Sequence, residues 1–156
     1  MRLLPLAAFL AFVLVGCASG GGGGEAAPSG EKPAGGEAAS GQKITVAMLP
    51  KKKGVPYFTS CSEGAMEAAK ELGNVELIYD GPTSGDAGEA VKLIDQWTAQ
   101  GVDVIAVSPN DPAVLAPAMK RAKDTGIKVI TWDADADASS REFLVNQATP
   151  EEIGFS

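Results

Sequence analysis

From Lys43 onward the chain alternates between short apolar, β-branched runs and stretches with apolar residues at three- and four-residue spacing. No other feature restricts the possible folds as strongly. The runs fall at Ile44–Leu49, Val75–Tyr79, Val104–Val107, Val129–Trp132 and Phe143–Val145. Helix signals lie between them. Ser60-Cys61-Ser62-Glu63 reads as a capping box that opens the first helix. Asp111-Pro112 reads as an N-cap followed by proline in the first turn. Gly73, Gly101 and Gly126 each follow a helical run, where a left-handed residue closes a helix. Strands separated by helices pair in parallel through right-handed crossovers. The runs VIAV and VIT are apolar throughout, as strands covered on both faces require. The expected fold class is α/β, a three-layer sandwich around a parallel sheet.

In such sheets the chemistry gathers where the strands end at their carboxyl side. Lys51-Lys52-Lys53, Tyr57 and Phe58 follow the first run, and Asp80-Gly81-Pro82 the second. Ser108-Pro109-Asn110-Asp111 follows the third, Asp133 the fourth, and Asn146-Gln147 the fifth. These are hydrogen-bonding groups and aromatics, with no nucleophile and base pair among them.

The fourth strand runs into VITWDADAD, with Asp133, Asp135 and Asp137 at alternate positions. An EF-hand loop beginning at Asp133 would need glycine sixth and a glutamate twelfth, but Ala138 and Leu144 stand there. A phosphatase of the haloacid dehalogenase class also carries D-x-D after a strand, though usually after the first strand and followed by threonine or valine. A manganese-dependent sugar-nucleotide transferase would need a nucleotide-binding pattern, and none accompanies the aspartates. A small metal-dependent hydrolase using Asp133 and Asp135 is the alternative of another class. Otherwise Asp135 and Asp137 are solvated loop residues, and Asp133 is placed by the sheet. A carboxylate so placed can accept two hydrogen bonds from adjacent sugar hydroxyls. Tyr57 and Phe58 either stack on the apolar face of the same ring or pack in the core.

Composition narrows the field. Thirteen Lys plus Arg against 20 Asp plus Glu give a formal charge of -7, which argues against nucleic acid. The chain has no histidine, the commonest general base and metal ligand. No cofactor and no metal are expected. The first residues, MRLLPLAAFLAFVLVGC, join one arginine to an apolar run of signal-peptide size, too short for a permanent bilayer span. From Ala18 to about Gln42 no aromatic or branched aliphatic residue appears, so this stretch reads as a solvated tether. Cys61 reads as a small packing residue rather than a nucleophile, because no histidine can activate it.

Leu14-Val15-Gly16-Cys17 resembles the lipobox of bacterial lipoproteins, which implies cleavage before Cys17 and its lipidation; an ordinary signal peptide with a chance cysteine is the alternative. Residues 43 to 156 resemble the type I periplasmic sugar-binding proteins of ABC transporters. The stretches VAMLPKKKGVPYFTSCSEGAMEAAKELG, LIYDGPTSGDAGEAVKLIDQWTAQGVDVIAVSPND, LAPAMKRAKDTGIKVITWDAD and VNQATPEEIG carry the resemblance. LPK, YDGPT, TWDAD and NQATP are most similar to the autoinducer-2 and rhamnose-binding branch, and the ribose-binding branch shares the aspartate and the aromatic pair. The resemblance implies that Lys51 hydrogen-bonds ligand oxygens, that Asp133 accepts ligand hydroxyls, and that Tyr57 and Phe58 sandwich a pyranose ring. Asn110 and Gln147 complete the ligand-binding candidates, with Asn146-Gln147 in the first hinge strand. Val55 stands where the ribose branch has an asparagine.

The family has two similar lobes, whereas Thr149-Pro150-Glu151-Glu152 reads as a capping box that opens a helix just before Ser156. The expected organisation is therefore a lipoprotein signal peptide at 1–16, a lipid-anchored linker at 17–42 and an N-terminal lobe at 43–156, truncated before a second lobe. The implied function is capture of a small sugar or furanone outside the cytoplasmic membrane, with an ABC permease as partner and the membrane touched only through the lipid. A sensory role for the same lobe is the alternative.

Overall fold

The computed structural model describes residues 41–148 and Gly154. The signal segment, Cys17, the linker as far as Ser40 and the capping box proposed at 149–152 lie outside the described residues. Five strands form one sheet: β1 (Ile44–Leu49), β2 (Val75–Tyr79), β3 (Val104–Val107), β4 (Lys128–Trp132) and β5 (Leu144–Val145). Their order is β2-β1-β3-β4-β5, and every pair is parallel. Helices α1 (Pro56–Leu72), α2 (Ala87–Gln100) and α3 (Pro112–Asp124) make the crossovers after β1, β2 and β3. A short 3-10 turn, Ala138–Ser140, lies between β4 and β5.

Side chains alternate across each strand, so successive residues enter different cores. Ala47, Leu49, Ile105, Val107 and Val129 face α2 and α3, packing with Ile94, Trp97, Leu115 and Met119. Met48, Ala106 and Trp132 face the other way and meet Phe58 of α1. Two helices therefore cover one face and one helix the other, giving the three layers expected. Because α1 alone must cover five strands, an apolar groove of about 390 Å³ remains beside it. Met48, Leu72, Ile130, Trp132 and Val145 line its walls.

Most local signals act as read. The Asp111 carboxylate accepts from the amides of Ala113 and Val114, and Pro112 occupies the first turn of α3. Gly73 and Gly101 close α1 and α2 at φ of 73° and 71°, a region costly for residues with a Cβ. The exception is the start of α1. The Ser60 capping box lies inside the helix, which begins one turn earlier, at Pro56, with no side-chain cap at Val55. Proline already has the φ of a first helical residue and loses no hydrogen bond there, so it outcompetes the later signal. The Ser62 hydroxyl instead donates to the Thr59 carbonyl at 2.8 Å.

Ile94 is fully buried between α2, α3 and the sheet. Ile94→Ala should cost about 2–5 kcal/mol in urea denaturation of the chain, the range for deleting a buried branched side chain. A loss below about 1 kcal/mol would mean that this face is not the closed core described here.

Candidate functional site

Parallel strands bring all their carboxyl ends to one edge, and the register decides which residues meet there. Leu49 of β1 pairs with Val107 of β3, and Val107 pairs with Thr131 of β4. Lys51, Ser108 and Asp133 follow these three residues within one or two positions, so they emerge side by side. The Ser108 amide extends the ladder by donating to the Leu49 carbonyl at 2.8 Å. The Ser108 side chain is fully buried, and its hydroxyl donates to Asp133 Oδ2 at 2.7 Å. Lys51 Nζ reaches the same oxygen at 2.9 Å.

Asp133 is the central group. Its side chain is 15% exposed, and its backbone has φ of 64°, the only non-glycine positive value among the described residues. Burial alone would raise its carboxyl, but hydrogen bonds from Lys51 and Ser108, with the Lys51 charge, hold it below the usual carboxylate range. The group is thus an ionised acceptor beside Lys51 and Tyr57.

Tyr57 and Phe58 are consecutive on the first turn of α1, and helical geometry turns them to different sides. Tyr57 is 44% exposed, whereas Phe58 is 7% exposed and packs edge to face on Trp132. The Tyr57 and Phe58 rings are themselves edge to face, with centroids 5.1 Å apart. The expected sandwich by this pair is therefore not present: one ring is offered to solvent and the other belongs to the core. The Tyr57 hydroxyl accepts from Gln147 Nε2 at 2.7 Å, a link across 90 residues of sequence. It is pushed up to about 12, first by burial and next by the Asp133 charge. With the ring partly open to water, the Asp133 charge is the cause that a mutation can remove. Tyr57 therefore stays a protonated donor at any ordinary pH.

Lys51, Tyr57, Asp133 and Gln147 thus lie in one network. Asn110 is not part of it. Its amide nitrogen donates to the Gly85 carbonyl at 2.5 Å and its oxygen accepts from the Asp111 amide at 2.9 Å, tying the β3–α3 turn to the loop before α2. Lys53 is held away by Asp80 at 2.9 Å. Asp135 and Asp137 are not simply solvated. Asp135 pairs with both Nε and Nη2 of Arg141 and accepts from Thr131, while Asp137 caps the 3-10 turn through the Ser139 amide at 2.9 Å. Asp133 and Asp135 therefore face separate partners, and no group of three or more metal-ligating side chains exists among the described residues. Sequence reasoning placed Ser108 at the end of the third strand without giving it a role and did not name Arg141, because their roles come from contacts with residues elsewhere in the chain.

An ionised acceptor, a cation, an amide and an exposed aromatic thus gather at the carboxyl edge of a doubly covered parallel sheet, a set of groups able to hydrogen-bond and stack on a polar small molecule. The profile of the periplasmic binding protein domain matches residues 46–156, and the chain belongs to that family. It is 26% identical over 104 residues to a ribose import binding protein of Bacillus subtilis, covering 67% of this chain and 33% of that one. It is 29% identical over 94 residues to a D-ribose/D-allose-binding protein of Pseudomonas aeruginosa, covering 59% and 30%. Among solved structures, LsrB of Clostridium saccharobutylicum in complex with AI-2 superposes with a TM-score of 0.69 at 36% identity, over 71% of this chain and 34% of that one. A solute binding protein of Clostridium phytofermentas with bound L-rhamnose gives a TM-score of 0.65 at 34% identity, over 69% and 33%. The chain spans about a third of the length of these relatives. They are binding proteins, so the family supports a non-enzyme and not the hydrolase alternative.

The lowered Asp133 value sets a pH signature. A carboxyl held below its unfolded value stabilises the fold fully above about pH 4 and loses that contribution as pH falls through its folded value. Lys51→Met removes much of the cause. The stability gap between wild type and Lys51→Met should be widest near neutral pH and narrow below about pH 4, read by denaturant unfolding. A gap constant from neutral pH to about pH 2 would refute the pairing.

Proposed function

We propose that this domain forms one wall of a cleft that captures a small sugar or sugar-like ligand outside the cytoplasmic membrane, for delivery to an ABC permease. The observation that carries the reading is the Asp133 carboxylate, ionised and largely buried beside Lys51, with the exposed Tyr57 ring next to it. A carboxylate accepts from two vicinal hydroxyls, a lysine donates to a ring or hydroxyl oxygen, and an aromatic face covers the C–H face of the ring. Lys51, Tyr57, Asp133 and Gln147 touch the ligand in this reading. Phe58 and Asn110 support it from behind, by holding α1 to the sheet and the β3–α3 turn to its neighbour. The matched relatives named for ribose, D-allose, AI-2 and L-rhamnose support a ligand of pentose, deoxyhexose or furanone class. Cys17 carries the lipid anchor in this reading, and residues 18–42 tether the domain to the membrane. Capture precedes transport without covalent chemistry, and closure of a second wall over the sugar supplies the signal to the permease.

The test is a thermal-shift and calorimetric screen of the full chain with D-ribose, L-rhamnose and AI-2 at millimolar concentration. At least one should raise the melting temperature. Asp133→Ala should weaken it by roughly 10- to 100-fold, the effect of removing a charged partner from hydrogen bonds to ligand hydroxyls, while Lys52→Ala should bind as wild type. Binding unchanged in Asp133→Ala, or stabilisation by a divalent ion and by none of the three ligands, would overturn the reading.

A further inference from the structure

Asp133 is held in a strained turn. The Ala134 amide donates to the Trp132 carbonyl at 2.7 Å, closing a three-residue turn with Asp133 at its centre and φ of 64°. A γ-turn with positive φ is rare for a residue with a Cβ, and such conformations persist only where the surroundings over-determine them. Two residues flank this turn and bond to each other. Thr131, fully buried at the end of β4, donates its hydroxyl to Asp135 Oδ1 at 2.8 Å, so a side-chain bond bridges the base of the loop. Asp135 is fixed from the other side by the bidentate pairing with Arg141, which leads into β5. Lys123 of α3 completes the belt by donating to the carbonyls of Ser139 at 3.2 Å and Arg141 at 2.9 Å.

We infer that Asp135 is a positioning residue, a clasp that with Thr131 and Arg141 keeps Asp133 in its left-handed turn and so aims its carboxylate at Lys51 and Ser108. The chain of causes is short. Arg141 orients the Asp135 carboxylate, which holds the Thr131 hydroxyl and thereby the two ends of the turn. The turn then has no freedom to relax into an ordinary extended path, which would swing the Asp133 side chain off the carboxyl edge of the sheet. The same pairing fixes the start of the segment that carries Gln147 to Tyr57. That the aimed carboxylate serves a sugar rests on the reading above, but the clasp itself does not.

The test therefore uses no sugar. Hydrogen exchange of the Ala134 amide and the 13C titration of the Asp133 carboxyl are measured by NMR in the wild-type chain and in Asp135→Ala, Asp135→Asn and Thr131→Val. Asp135→Asn keeps an acceptor for Thr131 and loses the charge facing Arg141. Thr131→Val keeps the shape at β4 and loses the bridging hydroxyl. In each folded variant the Ala134 amide should exchange about tenfold faster or more, because a turn released from the Thr131–Asp135–Arg141 clasp opens more often. The Asp133 midpoint should rise toward the ordinary carboxylate value. A purely structural role would lower the melting temperature and leave both readings at their wild-type values. That result in Asp135→Asn and Thr131→Val overturns the clasp, even if Asp135→Ala fails to fold. Failure of the sugar reading would show separately, as a wild-type chain with a protected turn and no response to D-ribose, L-rhamnose or AI-2.

Discussion

The parallel register of β1, β3 and β4 is the constraint on which everything else depends. Leu49, Val107 and Thr131 lie across from one another, so the three loops that leave them begin at the same height. Each crossover helix returns its chain to the opposite edge before the next strand starts, so no carboxyl end is used up in a hairpin. Lys51, Ser108 and Asp133 meet because the sheet delivers them, although 25 or more residues of chain separate each from the next. A slip of one residue in any of these pairings would turn the strand's apolar set to the wrong layer. The burial of Leu49, Ile105 and Val129 on one face therefore protects the geometry of the polar cluster.

The polar cluster is closed on itself. Lys51 and Ser108 share one oxygen of Asp133, and Gln147 holds the Tyr57 hydroxyl. Among the described residues no side-chain nitrogen or oxygen that is fully buried lacks a partner. A ligand hydroxyl that reaches Asp133 Oδ2 would therefore exchange with bonds already made, and affinity there would reflect the difference between two satisfied states. Discrimination follows from the same fact. A ligand that displaces Lys51 from Asp133 without replacing its hydrogen bonds leaves a partly buried charge unpaired, which is costly.

The fold was legible because its signals are local and agree with one another. Continuous apolar runs marked β3 and β4, glycines marked the ends of α1 and α2, and Asp111-Pro112 marked the start of α3. Where two local signals competed, at Pro56 and at Ser60, the preset φ of proline favours the earlier start, and the packing of Phe58 against Trp132, 74 positions away in sequence, reinforces it. The candidate site was legible at Lys51, Tyr57, Asp133 and Gln147, whose places at strand or helix ends follow from the alternation. Phe58 was ambiguous because adjacent helical residues diverge by about 100°, and no sequence pattern says which of two aromatics faces inward. Asn110, Ser108, Asp135 and Arg141 owe their parts to partners contributed by other loops. Ser108 in particular is short and ordinary in sequence, and gains its role from full burial beside a carboxylate.

The chain contains no histidine, Asp133 ionises below the usual carboxylate range, and Tyr57 holds its proton up to about pH 12. Across the whole interval between those two titrations, Asp133 and Tyr57 keep a constant charge. A cell cannot regulate the acidity of the medium outside its membrane as it does its interior. Under the function proposed above, such a cluster would follow ligand concentration without following proton concentration, because acidification leaves the charges of Asp133 and Tyr57 as they are.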